Sequence, residues 1–298
     1  MHRKTRTLQS RNYRFGVVVL LLAGVFLSSS GIIIRQIETT DGWKILFYRS
    51  VSFVFTVLIF IAWSYRGRIV KPFLKIGWPG AIVSIALALG FTSYLFAIMM
   101  TTIANVVFIL SAGPFFSALL GWIVLKEKVS KFTWTAIFVA VAGIGLMFLG
   151  DLAPGQLTGN FIALSAAAFF AVMIVSMRKA GPVDMMPATC LAGVIAALLA
   201  AHLAEGLTIS KHDLVLSVLF GSLQIGVGFI LITLGTRSVP AAEVPLLALT
   251  ETVLAPIWVW MLFDETPTPL ALTGGAIVLF AVLAQALYGS KFKGDRFI

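Results

Sequence analysis

The chain has 298 residues, 59% of them hydrophobic and only 11% charged, with a mean hydropathy of +1.02, a composition outside the range of soluble globular domains. One cysteine, Cys190, excludes an intramolecular disulfide, and the three scattered histidines, His2, His202 and His212, offer no metal-ligand spacing, so neither metal nor cofactor is expected. The net charge of +10 would suggest nucleic acid in a soluble protein, but here it sits in short loops and at the two ends of the chain, where it reports membrane topology.

A membrane span takes about 20 apolar residues, and charges together with Gly and Pro punctuation divide the chain into ten. They run over 16–37, 43–65, 77–100, 103–125, 131–150, 159–178, 186–205, 213–237, 241–263 and 268–290. The first has the look of a signal peptide, but nine further spans and the lack of an A-x-A site make it a retained helix. No charge interrupts Ile76–Leu125; as one helix it would reach about 75 Å, so it must turn, and Thr101-Thr102 is the expected corner. Rows of small residues, Ala188, Ala192, Ala196, Ala200 and Ala204 in one span and Gly113, Ser117 and Gly121 in another, read as helix-packing seams.

Of the 22 Lys and Arg residues, all but four fall on one side of these spans. Arg35, Lys44 and Lys211 lie on the other, and Arg49 lies within a span. The positive-inside bias therefore implies both termini inside and an even number of spans. Trp63, Tyr65, Trp78, Trp122, Trp134 and Tyr288 near the inner interface, with Trp43 and Trp260 near the outer one, read as aromatic belts.

Gly90–Met147 lies on Gly228–Gln285 without a gap, pairing Gly90-Phe91 with Gly228-Phe229, Ala104 with Ala242, Trp122 with Trp260, Glu127 with Glu265 and Thr135 with Thr273. Each half then holds five spans, and an odd number inverts the second half relative to the first. The charges agree: the loop from Lys126 to Lys131 is basic, whereas its counterpart from Asp264 to Pro269 is acidic. Inverted repeats of this kind are a transporter architecture with the site near the midplane between them. The fold class read here is an all-α polytopic membrane protein of ten transmembrane helices in an inverted 5+5 repeat.

Ala97-Ile98, Gly113-Pro114, Trp122 and Lys126-Glu127, with Glu251, Trp260 and Asp264-Glu265 in the second half and Arg49 early in the second span, resemble the ten-helix EamA branch of the drug/metabolite transporter superfamily. The resemblance covers Gly16 to Ser290. It implies a first five-helix repeat over 1–150 with a cytoplasmic N-terminal tail and a second, inverted one over 151–298 with a cytoplasmic C-terminal tail. It also implies that spans one to four and six to nine enclose the path, leaving five and ten peripheral. The family often has Glu-Pro in its ninth helix; here Thr252 follows Glu251 and the proline is Pro256, which shifts any helix break about one turn toward the outer side.

Glu251 stands near the centre of its span between Thr250 and Thr252. An intramembrane carboxylate marks a functional site by default, here a cavity group or proton carrier, the alternative being a hydrogen bond that locks two helices. Arg49 has two open readings: a grip on a substrate carboxylate or phosphate, or a side chain that snorkels to the outer interface. Together Arg49 and Glu251 could read the two ends of a zwitterion. Tyr94 and Trp258 are the preferred cavity aromatics, and Ser111 and Gln224 further lining groups. Most polar span residues, Ser28, Ser29, Ser30, Thr92 and Ser93 among them, are expected to serve packing. Gly113 aligns with Glu251 in the repeat and would leave room opposite it, while Pro114, Pro245 and Pro256 are kink or gating positions. Ser130 and Thr268 read as N-caps, with Glu127 and Glu265 as flanking residues and Arg237 and Glu243 as an interfacial pair or gating contact.

The expected function is a secondary transporter that moves a small amphipathic metabolite, an amino acid or a drug by alternating access, outward and coupled to protons. Its setting would be a bacterial inner membrane, with the lipid bilayer as partner, homodimerisation open and no nucleic acid. The rivals are a membrane enzyme with Glu251 as acid or base, which lacks a paired acid or a nucleophile-base motif, and a noncatalytic scaffold or receptor subunit.

Overall fold

The computed structural model describes residues 2–126, 129–150, 155–181, 183–236 and 244–288, with 2–12, 150, 244–246, 248, 249 and 286–288 described by backbone alone. The protein is all-helical. Helices α1 (His2–Ser28) and α2 (Ser30–Gln36) form the first crossing, followed by α3 (Gly42–Ser64), a six-residue α4 (Val70–Lys75) and α5 (Gly77–Met100). Next come α6 (Ile103–Ser111) with α7 (Gly113–Leu125), then α8 (Lys131–Gly150), α9 (Gln156–Ala180) and α10 (Met186–Leu203). The chain continues through α11 (Lys211–Leu219), a π-helical stretch Phe220–Val227, α12 (Gly228–Gly235), α13 (Val244–Phe263) and α14 (Pro269–Tyr288). Among the described residues, eight segments are long and apolar enough to cross a membrane, from Tyr13–Gln36 to Lys211–Gly235, and α13 and α14 add two more apolar helices.

Local chemistry sets the boundaries. Asp41 caps α3 by accepting from the Trp43 N–H at 2.9 Å. Thr102 caps α6 at the corner after Met100 by accepting from Asn105. Ser130, Ser210 and Thr268 likewise accept from the third residue onward, Thr133, Asp213 and Ala271, at 3.0–3.1 Å. Helix α9 ends at Gly181, whose φ of 73° suits a residue without Cβ.

Small residues allow close packing where burial in lipid offers no hydrophobic drive. Ala163, Ala166, Ala167 and Ala171 of α9 are fully buried in its long contact with α5. Ala188, Ala192, Ala196 and Ala200 form the buried seam of α10 against α3 and α5. Helices α8 and α14 pack chiefly on each other, with Gly143 and Gly274 each against the other's backbone carbonyl, and share a separate apolar cluster with α7. Phe55, Ile59, Phe138, Leu198 and Phe280 are exposed, as lipid-facing residues should be.

Candidate functional site

Three irregularities in otherwise regular helices surround one cavity of about 350 Å³. The first is the serine triplet. Ser28 and Ser29 turn their hydroxyls back onto the carbonyls of Val25 and Phe26 at 2.8 and 2.6 Å, and the helix breaks between α1 and α2; such back-bonding bends helices. The carbonyl of Leu27, released near this break, accepts from Gln224 Nε2 at 2.9 Å. Ser30 accepts from the Tyr94 hydroxyl at 2.8 Å, and Ser28 accepts from Trp258 Nε1 at 3.0 Å.

The second lies between α6 and α7. Pro114 carries no N–H, and the span breaks at Ala112, with tight turns from Ala112 to Ile109 and from Phe115 to Ala112. Ser111 and Pro114 line the cavity beside this break. The third is the π-helical stretch, which presents Gln224 to the cavity and sets Phe220 against Arg49. Its Gly221 lies so close to the Arg49 carbonyl and the Ser52 hydroxyl that no Cβ fits. Single π turns recur at functional sites because they redirect side chains within a helix.

Arg49 occupies this setting with 2% of its surface exposed. It does not snorkel. Its guanidinium carbon lies 4.5 Å from the Phe220 ring centre and 5.7 and 5.8 Å from those of Phe91 and Tyr94, a cation–π cage. Nη1 reaches the Phe91 carbonyl only at 3.4 Å, and Nε and Nη2 meet no acceptor among the described residues. Glu251 and Thr252 enter the same cavity from α13, and among the described residues no hydrogen-bond or ion-pair partner faces the Glu251 carboxylate. Apolar walls come from Leu27, Phe91, Phe170, Met173, Ile174 and Phe229.

The structure thus brings Arg49, Tyr94, Ser111, Pro114, Gln224, Glu251 and Thr252 around one space. Trp258 is not there: about two turns along α13 from Glu251, its indole donates to Ser28 and does not line the cavity. Thr250 meets Gly24 across the α1–α13 contact, and Gly113 looks into open space without lining the cavity. Pro256 sits inside an unbroken α13, so the break expected near it is absent, and the side chain of Pro245 lies outside the described residues, as do Glu127, Arg237 and Glu243. Phe220, Phe91 and Phe170 carried no sequence signal, since an apolar residue facing a cavity reads like one facing lipid.

Glu265 does more than flank a helix. At the end of the bundle holding the α5–α6 corner, its Oε2 accepts from Arg35 Nε at 2.7 Å and its Oε1 from the Ile103 N–H at 2.8 Å. Arg35 also donates to the carbonyls of Ile98 and Thr101 at 2.9 and 3.1 Å. Nearby, the buried Asp213 accepts from the N–H groups of Glu38 and Thr39, and Tyr48 donates to the Leu207 carbonyl at 2.6 Å. Polar contacts therefore tie the two halves of the chain together at this end. Placing Arg35 and Glu265 at one membrane face was the signal that could have paired them.

Comparison with known proteins agrees with this architecture. A solved crystal structure matches with a TM-score of 0.64 over 94% of this chain and 99% of its own, at 17% identity, which speaks to the fold alone. The chain is 27% identical over 275 residues to an uncharacterized transporter of Archaeoglobus fulgidus, covering 92% of this chain and 97% of that protein. It is 25% identical over 296 residues to the human solute carrier family 35 member G1, covering 91% and 79%. The model of the EamA-like transporter family matches twice, over residues 14–149 and 157–285. With most of its length matched in this way, the chain belongs to the EamA-like transporter family of the drug/metabolite transporters, which are membrane carriers and not enzymes.

Proposed function

We propose that this transporter carries a small amphipathic metabolite bearing an anionic group, an amino acid or a related compound or drug, by alternating access between two inverted five-helix halves. The observation that carries this reading is the presence of both Arg49 and Glu251 in the wall of one apolar cavity. The two come from opposite halves of the chain, and neither has a strong protein partner among the described residues. A buried guanidinium with two unpartnered nitrogens among the described residues is costly to leave alone and well shaped for a carboxylate. The aromatic walls suit an apolar body, and Glu251 carries the coupled proton.

The Arg35–Glu265 contacts serve in this reading as the latch that closes one end of the path while the cavity communicates with the other. The basic loops Arg66–Lys75 and Lys126–Lys131, together with Arg178 and Lys179, favour placing their face inside, with both termini cytoplasmic in a bacterial inner membrane and net movement outward.

Reconstitution in liposomes tests the proposal. Wild-type protein is expected to show counterflow of at least one member of a labelled amino-acid panel and uptake driven by an imposed pH gradient. Glu251→Gln is expected to keep counterflow and lose the pH-driven component. Counterflow of no carboxylate-bearing compound, with folded protein, would sink the substrate assignment, and unchanged pH-driven uptake in Glu251→Gln would sink the proton role.

A further inference from the structure

A second pocket lies away from the central cavity, where α3, the short α4 and the segment before α10 meet at one end of the bundle. It has a volume of about 470 Å³ and is lined by Tyr65, Arg68, Lys71, Pro72, Lys75 and Asp184, with Val183 beside them. Three cations face it against one carboxylate. That carboxylate is already engaged: Asp184 Oδ2 accepts from the Tyr65 hydroxyl at 2.6 Å and Oδ1 from the Met186 N–H at 2.9 Å, at the start of α10. Among the described residues no acid lies within ion-pair distance of Arg68, Lys71 or Lys75.

The helix that carries two of these cations is also built to lie at a lipid surface. Lys71 and Lys75 stand one turn apart on α4, and Val70 and Leu74 stand one turn apart on the adjoining face. Pro72 is buried and holds the helix down, while Leu74 is 79% exposed and Val70 69%. Trp63 at the end of α3 and Trp78 at the start of α5, 75% and 78% exposed, flank it at the level where indoles meet lipid headgroups. A basic pocket opening beside exposed aliphatic and indole groups presents anion-binding chemistry and acyl-chain contacts side by side.

We propose that this pocket binds an anionic phospholipid of the adjoining leaflet, its phosphate held by Arg68, Lys71 and Lys75 and its acyl chains lying along Leu74, Trp63 and Trp78. Basic pockets between transmembrane helices hold such headgroups by summed charge, each Lys or Arg strengthening binding by about fivefold. A freely diffusing phosphate would use only half of the surface. The assignment rests on the pocket and not on the transported substrate.

Native mass spectrometry of the detergent-purified protein, titrated with phosphatidylglycerol or with phosphatidylcholine, tests it. Wild type is expected to retain one phosphatidylglycerol in preference to phosphatidylcholine. The combined Arg68→Gln, Lys71→Gln, Lys75→Gln variant is expected to bind it roughly a hundredfold more weakly, and a charge-matched control, Lys126→Gln, Lys131→Gln, Arg178→Gln, to bind it as wild type does. Should the triple variant fail to fold, the three single substitutions decide, each expected to weaken retention about fivefold. Equal retention of the two lipids, equal loss in both triple variants, or unaltered single variants would overturn the proposal. Displacement of phosphatidylglycerol by inorganic phosphate would overturn it in favour of a soluble-anion site.

Discussion

Replacing Arg49 by methionine separates a binding role from a structural one. The guanidinium is buried, its Nε and Nη2 meet no acceptor among the described residues, and the hydrogen bond from Nη1 to the Phe91 carbonyl is long at 3.4 Å. A buried donor without a partner costs about 1–3 kcal/mol, more when charged. The contact with the Phe220 ring at 4.5 Å returns about 0.5–2 kcal/mol. Methionine is of similar length, adapts to irregular space and leaves nothing unsatisfied. With two such nitrogens the cost of about 2–6 kcal/mol outweighs that return, so the balance favours Arg49→Met by up to about 5 kcal/mol, a rise of several degrees in melting temperature. Counterflow of a carboxylate-bearing substrate should fall by about a hundredfold, the worth of a bidentate charged contact. Thermal unfolding in detergent and the liposome assay read the two halves of the prediction. An Arg49→Met protein that melts well below wild type, or one that transports normally, refutes the view that the arginine is held unpaired for a ligand.

Glu265→Gln removes the charge from a half-buried pair whose partners expose 24% and 19% of their side chains. Losing a charged hydrogen bond of about 1.5–3 kcal/mol should shift the balance toward opening of that end by roughly tenfold or more. With Cys190→Ala as background, labelling of Thr102→Cys by an impermeant maleimide should accelerate accordingly, and an unchanged rate would show that the pair is no latch. Gly221→Ala forces a Cβ onto the Arg49 carbonyl and the Ser52 hydroxyl and should cost about 1–3 kcal/mol or more, with Ser52→Ala giving only partial relief because the carbonyl stays; wild-type melting of Gly221→Ala would mean that α3 and the π-helical stretch are not in firm contact.

The sequence by itself determined the membrane class and the placement of the helices. Apolar runs of spanning length bounded by charge leave the chain little choice, so the crossings after the first begin and end within a few residues of their expected bounds, while the six-residue α4 and the π-helical stretch inside one crossing were not expected. The corner at Thr101-Thr102 and the caps at Ser130 and Thr268 were legible for the same reason: length and local hydrogen bonding act between near neighbours. The tertiary structure decided what each polar residue does. Snorkelling and burial are equally open to Arg49 until α5 and the π-helical stretch close over it. Trp258 shares a helical face with Glu251 by spacing, yet Ser28 of a distant helix captures its indole. Glu265 looks like a loop acid until Arg35, 230 residues away in the chain, comes beside it. The π turn at Phe220–Val227 packs on α1 and α3 and the break at Ala112 lies beside a proline without an N–H, and only when these distant helices meet do such local departures become one cavity.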